Sequence, residues 1–220
     1  MAGLTWDETG KRLYETGTDR GVLFPTDDTG AYATGVAWNG LTKVTEKPDG
    51  AEETVLYADN LKYLSLMSEE TFKGSIEAYT FPDEFNAADG TAELGAGITV
   101  GQQARKPFGL SYRTLIGNDV KASDFGYKIH LVYGAKVSPS EREFESVNDD
   151  PGAVTFSWEF STTPVTLPNY KPVAHLIFDS TKMDVADLKK LEDMIYGNGT
   201  ESATPKLPLP SELVTMFPKP

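Results

Sequence analysis

Residues 154–161, Val-Thr-Phe-Ser-Trp-Glu-Phe-Ser, constrain the fold more than any other stretch of the chain. Val154, Phe156, Trp158 and Phe160 alternate with Thr155, Ser157, Glu159 and Ser161. Side chains on a strand point to opposite faces with a period of two, so the run makes one apolar and one polar face. Tyr127–Tyr133 alternates in the same way as far as Val132, and Phe108, Leu110, Tyr112 and Ile116 share one parity of a third run. Turn residues separate the three: Gly117-Asn118-Asp119 and Ser123-Asp124-Phe125-Gly126 in one gap, Asn148-Asp149-Asp150-Pro151-Gly152 in the other. Residues 109–165 are expected to form the heart of an antiparallel sheet. The chain is therefore mainly β, a sandwich or open barrel. Its apolar face carries Phe156, Trp158 and Phe160, and its polar face, with Lys128, His130, Glu159 and Ser161, is left for water.

Elsewhere the pattern is looser. Residues 1–30 are rich in Thr, Gly and Asp with apolar islands at Leu4-Thr5-Trp6 and Val22-Leu23-Phe24, and read as an N-terminal arm or edge strand. Ala31–Thr45 and Thr54–Tyr57 read as a hairpin turned at Lys47-Pro48-Asp49-Gly50. Leu61–Met67 is apolar without clean alternation, and Thr71–Thr80 alternates again. Residues 82–107 form a long excursion that Phe85, Leu94, Ile98 and Val100 are placed to tack down. Val173–Asp179 is a further strand.

One α-helix is expected, over about 184–196. Asp184 suits the N-cap, Met183 and Leu188 occupy staple positions, and Val185, Leu188, Leu191 and Ile195 make a single apolar stripe before Gly197. A helix with one stripe lies on a sheet. The organisation expected is one domain over 1–197 and a Pro-rich C-terminal arm over 198–220. That arm ends in Leu213, Val214, Met216 and Phe217, an apolar cluster that needs a surface to dock on.

The chain has 220 residues, enough to bury a sizeable core, and a net charge of −13. Eighteen of its 33 acids but nine of its 20 bases lie in residues 1–110. This balance argues against nucleic-acid binding and against adhesion to anionic membranes. No run approaches the roughly 18 apolar residues of a membrane span, and the N-terminus has no secretory pattern. Asn198-Gly199-Thr200 matches a glycosylation sequon, read as chance.

No catalytic pattern emerges. With no cysteine, His130 and His175 have no thiolate to complete a metal site, and both read as sheet-face residues. Gly109-Leu110-Ser111-Tyr112-Arg113 fails the nucleophile-elbow pattern at its last position, and Gly95-Ala96-Gly97-Ile98-Thr99-Val100 lacks the third glycine of a dinucleotide loop. Glu141, Glu143 and Glu145 alternate as a solvated strand face, whereas a glycosidase pair needs acids across a cleft. Asp149 and Asp150 read as a turn without the ligand set of a calcium loop. The expectation is thus of no enzyme, no cofactor and no metal. Two weaker readings are a carbohydrate-binding β-sandwich using Trp6 or Trp38, and a hydrolase using Glu141, Glu143, Asp149 or Asp150.

Four stretches carry a resemblance: Phe108–Asn118 (FGLSYRTLIGN), Gly126–Gly134 (GYKIHLVYG), Ser138–Arg142 (SPSER) and Phe156–Val165 (FSWEFSTTPV). In series, with the strand, helix and glycine of residues 174–197, they resemble the major tail proteins of long, non-contractile-tailed phages of Gram-positive hosts. The resemblance covers most of the chain and is densest over 105–197. It implies a β-sandwich or open barrel of tail-tube type flanked by a helix, similar to the type VI secretion tube protein. It further implies self-assembly into hexameric rings, stacked through loops and terminal arms into a tube whose lumen conducts DNA. Implied partners are further copies of the chain and the tape measure, tail terminator and distal tail proteins. The implied location is the virion tail, assembled in the host cytoplasm. Residues 44–54, 82–107 and 198–217, with Leu213, Met216 and Phe217 as anchors, are the expected inter-subunit arms.

Overall fold

The computed structural model describes residues 3–146, 152–199 and 204–218. In chain order its strands are β1 Leu13–Pro25, β2 Val36–Trp38, β3 Leu41–Glu46, β4 Asp49–Gly50, β5 Glu53–Ala58, β6 Leu61–Met67, β7 Glu70–Thr71, β8 Lys73–Ala78, β9 Ala92–Gly95, β10 Ile98–Val100, β11 Phe108–Asn118, β12 Ala122–Val137, β13 Phe156–Thr162 and β14 His175–Asp179. The helices are α1 Asn86–Asp89, α2 Val185–Tyr196 and α3 Pro210–Met216. The fold is mainly antiparallel β with few helices, as the alternation predicts.

The main sheet runs β2-β1-β11-β12-β13-β8-β3, and β14 also pairs with β12. The 16-residue β12 serves three neighbours. It pairs with β11 along one edge, and on the other with β14 over Lys128–Val132 and with β13 over Ala135–Val137. The hand-over falls at a bulge, where the register against β11 shifts between Leu110↔Val132 and Phe108↔Ala135. Gly134 sits there at φ +58°, and a Cβ would lie 2.4 Å from the Thr163 carbonyl oxygen. Only glycine takes that conformation and that contact without strain.

Each face of the curved sheet has its own core. On the inner face Leu23, Leu110, Tyr112, Val132, Ile76, Trp158 and Phe160 pack with Trp38, Phe85 and Phe108. On the outer face Val22, Phe24, Ile129, Leu131 and Tyr133 pack beneath Leu188, Leu191 and Ile195 of α2 and Leu207 and Leu213 of the C-terminal segment. This explains why Leu131-Val132-Tyr133 breaks alternation: both faces of β12 are buried there. The α2 helix starts as expected, with the Asp184 carboxylate accepting from the Ala186 N–H at 2.8 Å. Its stripe is narrower than predicted, because Val185 is 81% exposed.

Several expectations need correction. Residues 13–25 of the expected N-terminal arm form β1, lying between β2 and β11, with Val22, Leu23 and Phe24 in the two cores. A segment poor in apolar residues is here carried by backbone pairing along β11. The expected hairpin turn at residues 47–50 does not reverse the chain. Reversal comes at Asp59-Asn60, both at positive φ (50° and 62°), the geometry of a two-residue hairpin turn. The pairs β3–β8, β4–β7 and β5–β6 therefore form one long, interrupted hairpin. Glu141, Glu143 and Glu145 lie exposed outside any strand, and residues 147–151, including Asp149 and Asp150, lie outside the described residues. His130 faces the inner core, not water, at 4% exposure.

Within the 82–107 excursion a short 3-10 turn and α1 bring Phe85 to full burial against Trp38, Trp158 and Phe108. Leu94 and Ile98, expected to tack it down, are exposed on the small β9–β10 hairpin.

Candidate functional site

Two features stand out from a scaffold otherwise filled by its cores. The first is the outer half of the long hairpin. Here β5 and β6 pair only with each other. Leu56, Tyr57, Leu61, Tyr63, Leu64 and Leu66 are all exposed, Tyr63 at 75%. Leu56 faces Leu64 across the pair, and Thr54 faces Leu66. A two-stranded hairpin without a third layer is marginal in water, and contiguous exposed apolar side chains mark interaction surfaces. The sequence signal was present in the Leu61–Met67 run, whose lack of alternation follows from having no buried face.

The second feature is a polar cluster at one end of the inner core, built by the last residue of β3, the middle of β12 and the first residue of β14. Glu46 Oε1 lies 3.1 Å from His130 Nδ1 and 3.8 Å from His175 Nε2, and the two ring nitrogens are 3.1 Å apart. Tyr112 donates its hydroxyl to Glu46 Oε1 at 2.6 Å, and Thr114 Oγ1 is 3.1 Å from His130 Nε2. The Tyr112 ring stacks on His130 (4.5 Å between centroids, 8° between planes), and the Phe72 ring on His175 (4.4 Å, 25°).

The hydrogen bond with His130 holds the Glu46 carboxyl down at about 2, helped by Tyr112 and against the cost of burial. Burial pushes His175 down to about 4, against the pull of Glu46, so its imidazole is neutral at pH 7. Burial, then Glu46, pushes the Tyr112 phenol upward. The grouping is invisible in sequence, because 46, 130 and 175 come together only through the hand-over of β12 from β13 to β14.

The sequence-predicted anchors sit on the subunit itself. Leu213 is buried in the outer core at 5% exposure, Phe217 meets Phe178 edge-on at 6.4 Å between centroids, and Met216 is half-buried. Pro208 and Lys206 tie the segment down, through Tyr133 Oη donating to the Pro208 carbonyl (2.8 Å) and the Lys206 N–H donating to the Met194 carbonyl (2.8 Å). Of the two tryptophans considered for a sugar platform, Trp38 is buried, its indole N–H donating to the Thr80 carbonyl at 2.9 Å, and Trp6 is exposed.

No family model and no curated protein sequence matches the chain. Among solved structures it is similar to a chain of the sheath–tube complex of an extracellular contractile injection system in its extended state. The identity is 9% and the TM-score 0.33, covering 73% of this chain and 88% of that one. It is also similar to a chain of the sheath/tube terminator of such a system, at 12% identity and a TM-score of 0.29, covering 80% and 99%. Likeness at that level identifies neither a function nor a partner.

Proposed function

We propose that this chain is a structural subunit of a phage-type tail tube, assembling with copies of itself into stacked rings. The observation that carries the reading is the β5–β6 half-hairpin, which pairs with no other strand and exposes aliphatic and aromatic side chains along its length. A lone subunit gains nothing from that surface, whereas a neighbouring copy would bury it. The series of stretches resembling major tail proteins supports the same reading, since three of the four contribute to β11, β12 and β13, the centre of the sheet.

A head-to-tail arrangement of copies that closes by rotation makes a ring, in which strand edges left without a partner would be paired between copies. The excess of acids suits a lumen that conducts DNA without holding it, the reverse of the counterion release that drives DNA binding. In this reading the subunit has no catalytic role, belongs to the virion tail, and meets tape measure, terminator and distal tail proteins at the tube and its ends. The C-terminal segment reaches neighbours through the outward side of α3, while Leu213 stays on its own sheet.

Negative-stain microscopy of the concentrated protein tests this directly. Hollow tubes or rings of uniform diameter are expected. A species that stays monomeric at every concentration, salt and pH tried overturns the proposal.

A further inference from the structure

We infer that Glu46, His130 and His175 form a binding site for a divalent transition-metal ion, zinc by preference. The three candidate ligand atoms, Glu46 Oε1, His130 Nδ1 and His175 Nε2, lie 3.1, 3.1 and 3.8 Å from one another. A point equidistant from all three lies about 2 Å from each, the length of a Zn–N or Zn–O bond. Tetrahedral zinc with such bonds needs about 3.3 Å between ligands, which small turns of the two imidazoles supply. No other group of at least three His, Asp or Glu among the described residues converges in this way.

The surroundings are arranged as the outer partners of a metal site are. Thr114 Oγ1 lies 3.1 Å from His130 Nε2, so with the ring proton on Nε2 the hydroxyl would accept it, and an ion would replace the proton that Nδ1 shares with Glu46. The Tyr112 hydroxyl donates to Glu46 Oε1 and orients the carboxylate. Tyr112 and Phe72 stack on the two imidazoles and hold their planes. The histidine side chains are 5% and 11% exposed and that of Glu46 is 36% exposed, so an ion enters past the carboxylate. That open side leaves a fourth position to water or to a group from another molecule.

Three lone-pair atoms this close repel one another unless protons or a cation stand between them. Two imidazoles and one carboxylate form a mixed nitrogen–oxygen set suited to zinc, nickel or copper and poorly suited to calcium or magnesium. The ion would join β3 to the paired strands β12 and β14, with neither of which β3 has backbone pairing. Its effect would be to fasten the base of the long hairpin to the centre of the sheet. The inference is independent of the tail-tube reading, since it concerns the isolated subunit.

The test uses the full chain, stripped with EDTA, dialysed, and titrated with zinc chloride or cobalt chloride. One zinc per chain should be retained after dialysis, with a rise in melting temperature, and cobalt should give the visible absorption of a four- or five-coordinate nitrogen–oxygen site. Glu46→Gln and His175→Gln should each weaken zinc binding at least tenfold, and Thr114→Val by about tenfold. Glu46→Gln keeps an acceptor for Tyr112, so it tests the ligand role should His175→Gln fail to fold. Wild type and Glu46→Gln titrating alike, or wild type retaining no zinc, overturns the inference.

Discussion

Trp158 donates its indole N–H to Asp89 Oδ1 at 2.9 Å, joining residues 69 apart in sequence at the floor of the inner core. Asp89 ends the short helix α1 and is 7% exposed, and Trp158, at the centre of β13, is fully buried. The other carboxylate oxygen accepts from Arg142, whose guanidinium lies over Phe81 and Phe156, and Arg105 stands 3.8 Å from Oδ1. A buried carboxylate is tolerable only when paired and hydrogen-bonded. This one pins an otherwise irregular excursion to the central strands.

Asp89→Ala should accordingly destabilise the subunit by about 3 kcal/mol, the low end for breaking a buried charge pair, because Arg142 can turn toward water. Asp89→Asn keeps an acceptor for Trp158 and should cost less. Urea denaturation checks both, with a lower midpoint at unchanged slope expected.

Gly134 offers a sharper backbone test. Its Cβ position lies against the Thr163 carbonyl at positive φ, so Gly134→Ala carries both a conformational cost and a collision with main chain. A loss of at least about 1–3 kcal/mol is expected. At roughly 2–4 °C per kcal/mol for a chain of this size, the melting temperature should drop by several degrees. Gly152, where a Cβ meets nothing within 4 Å, is the control, and Gly152→Ala should leave melting unchanged.

How much of this was legible in sequence follows from the range of each interaction. The alternation of Phe156, Trp158 and Phe160 showed a buried strand face because neighbouring residues carry that signal themselves. The α2 cap and stripe were readable for the same reason. The path of the 41–78 hairpin was misread because Lys47-Pro48-Asp49-Gly50 has stronger turn chemistry than Asp59-Asn60, and cross-strand pairing with β8 decided between them. Leu13–Pro25 looked like an arm because Thr16, Gly17, Thr18, Asp19 and Arg20 carry no apolar pattern. What holds it is pairing with β11, together with the Arg113–Asp19 ion pair, bidentate at 2.6 and 2.7 Å. The Glu46–His130–His175 grouping had no local signal at all, since His130 and His175 each read alone as ordinary strand residues and Glu46 follows the strand expected over residues 31–45.

The C-terminal segment should behave as part of the core. Gly109, where a Cβ would lie 2.3 Å from Leu207 Cδ2, lets the chain pass close over β11, and Tyr133 holds the Pro208 carbonyl. Leu213→Ala should therefore cost about 2–3 kcal/mol, at the low end for a buried leucine because α3 is short and exposes Ser211, Glu212 and Thr215. Met216→Ala, at a half-buried position, should cost less. Chemical denaturation of the dilute, unassembled subunit separates the two. Equal, negligible effects would mean that the segment does not dock on its own sheet in solution.

The β5–β6 surface predicts the opposite signature, a loss of assembly at constant stability. Leu64 and Leu66 are 44% and 51% exposed, and their cross-strand partners Leu56 and Thr54 are exposed as well. Replacing both leucines by Asp removes little buried area within the subunit, so its melting temperature should change by no more than a degree or two, as for other surface substitutions. Between copies the same change would bury two charges without partners, a cost far larger than any association energy a small interface supplies. Sedimentation velocity of the Leu64→Asp/Leu66→Asp protein should show monomer under conditions where the parent chain forms rings or tubes. A mixture of the two should form shorter tubes than the parent alone, if the hairpin meets a neighbour along the tube axis. Assembly of the double variant at the parent's rate and length would remove the hairpin from the interface and leave other surfaces of the subunit to account for self-association.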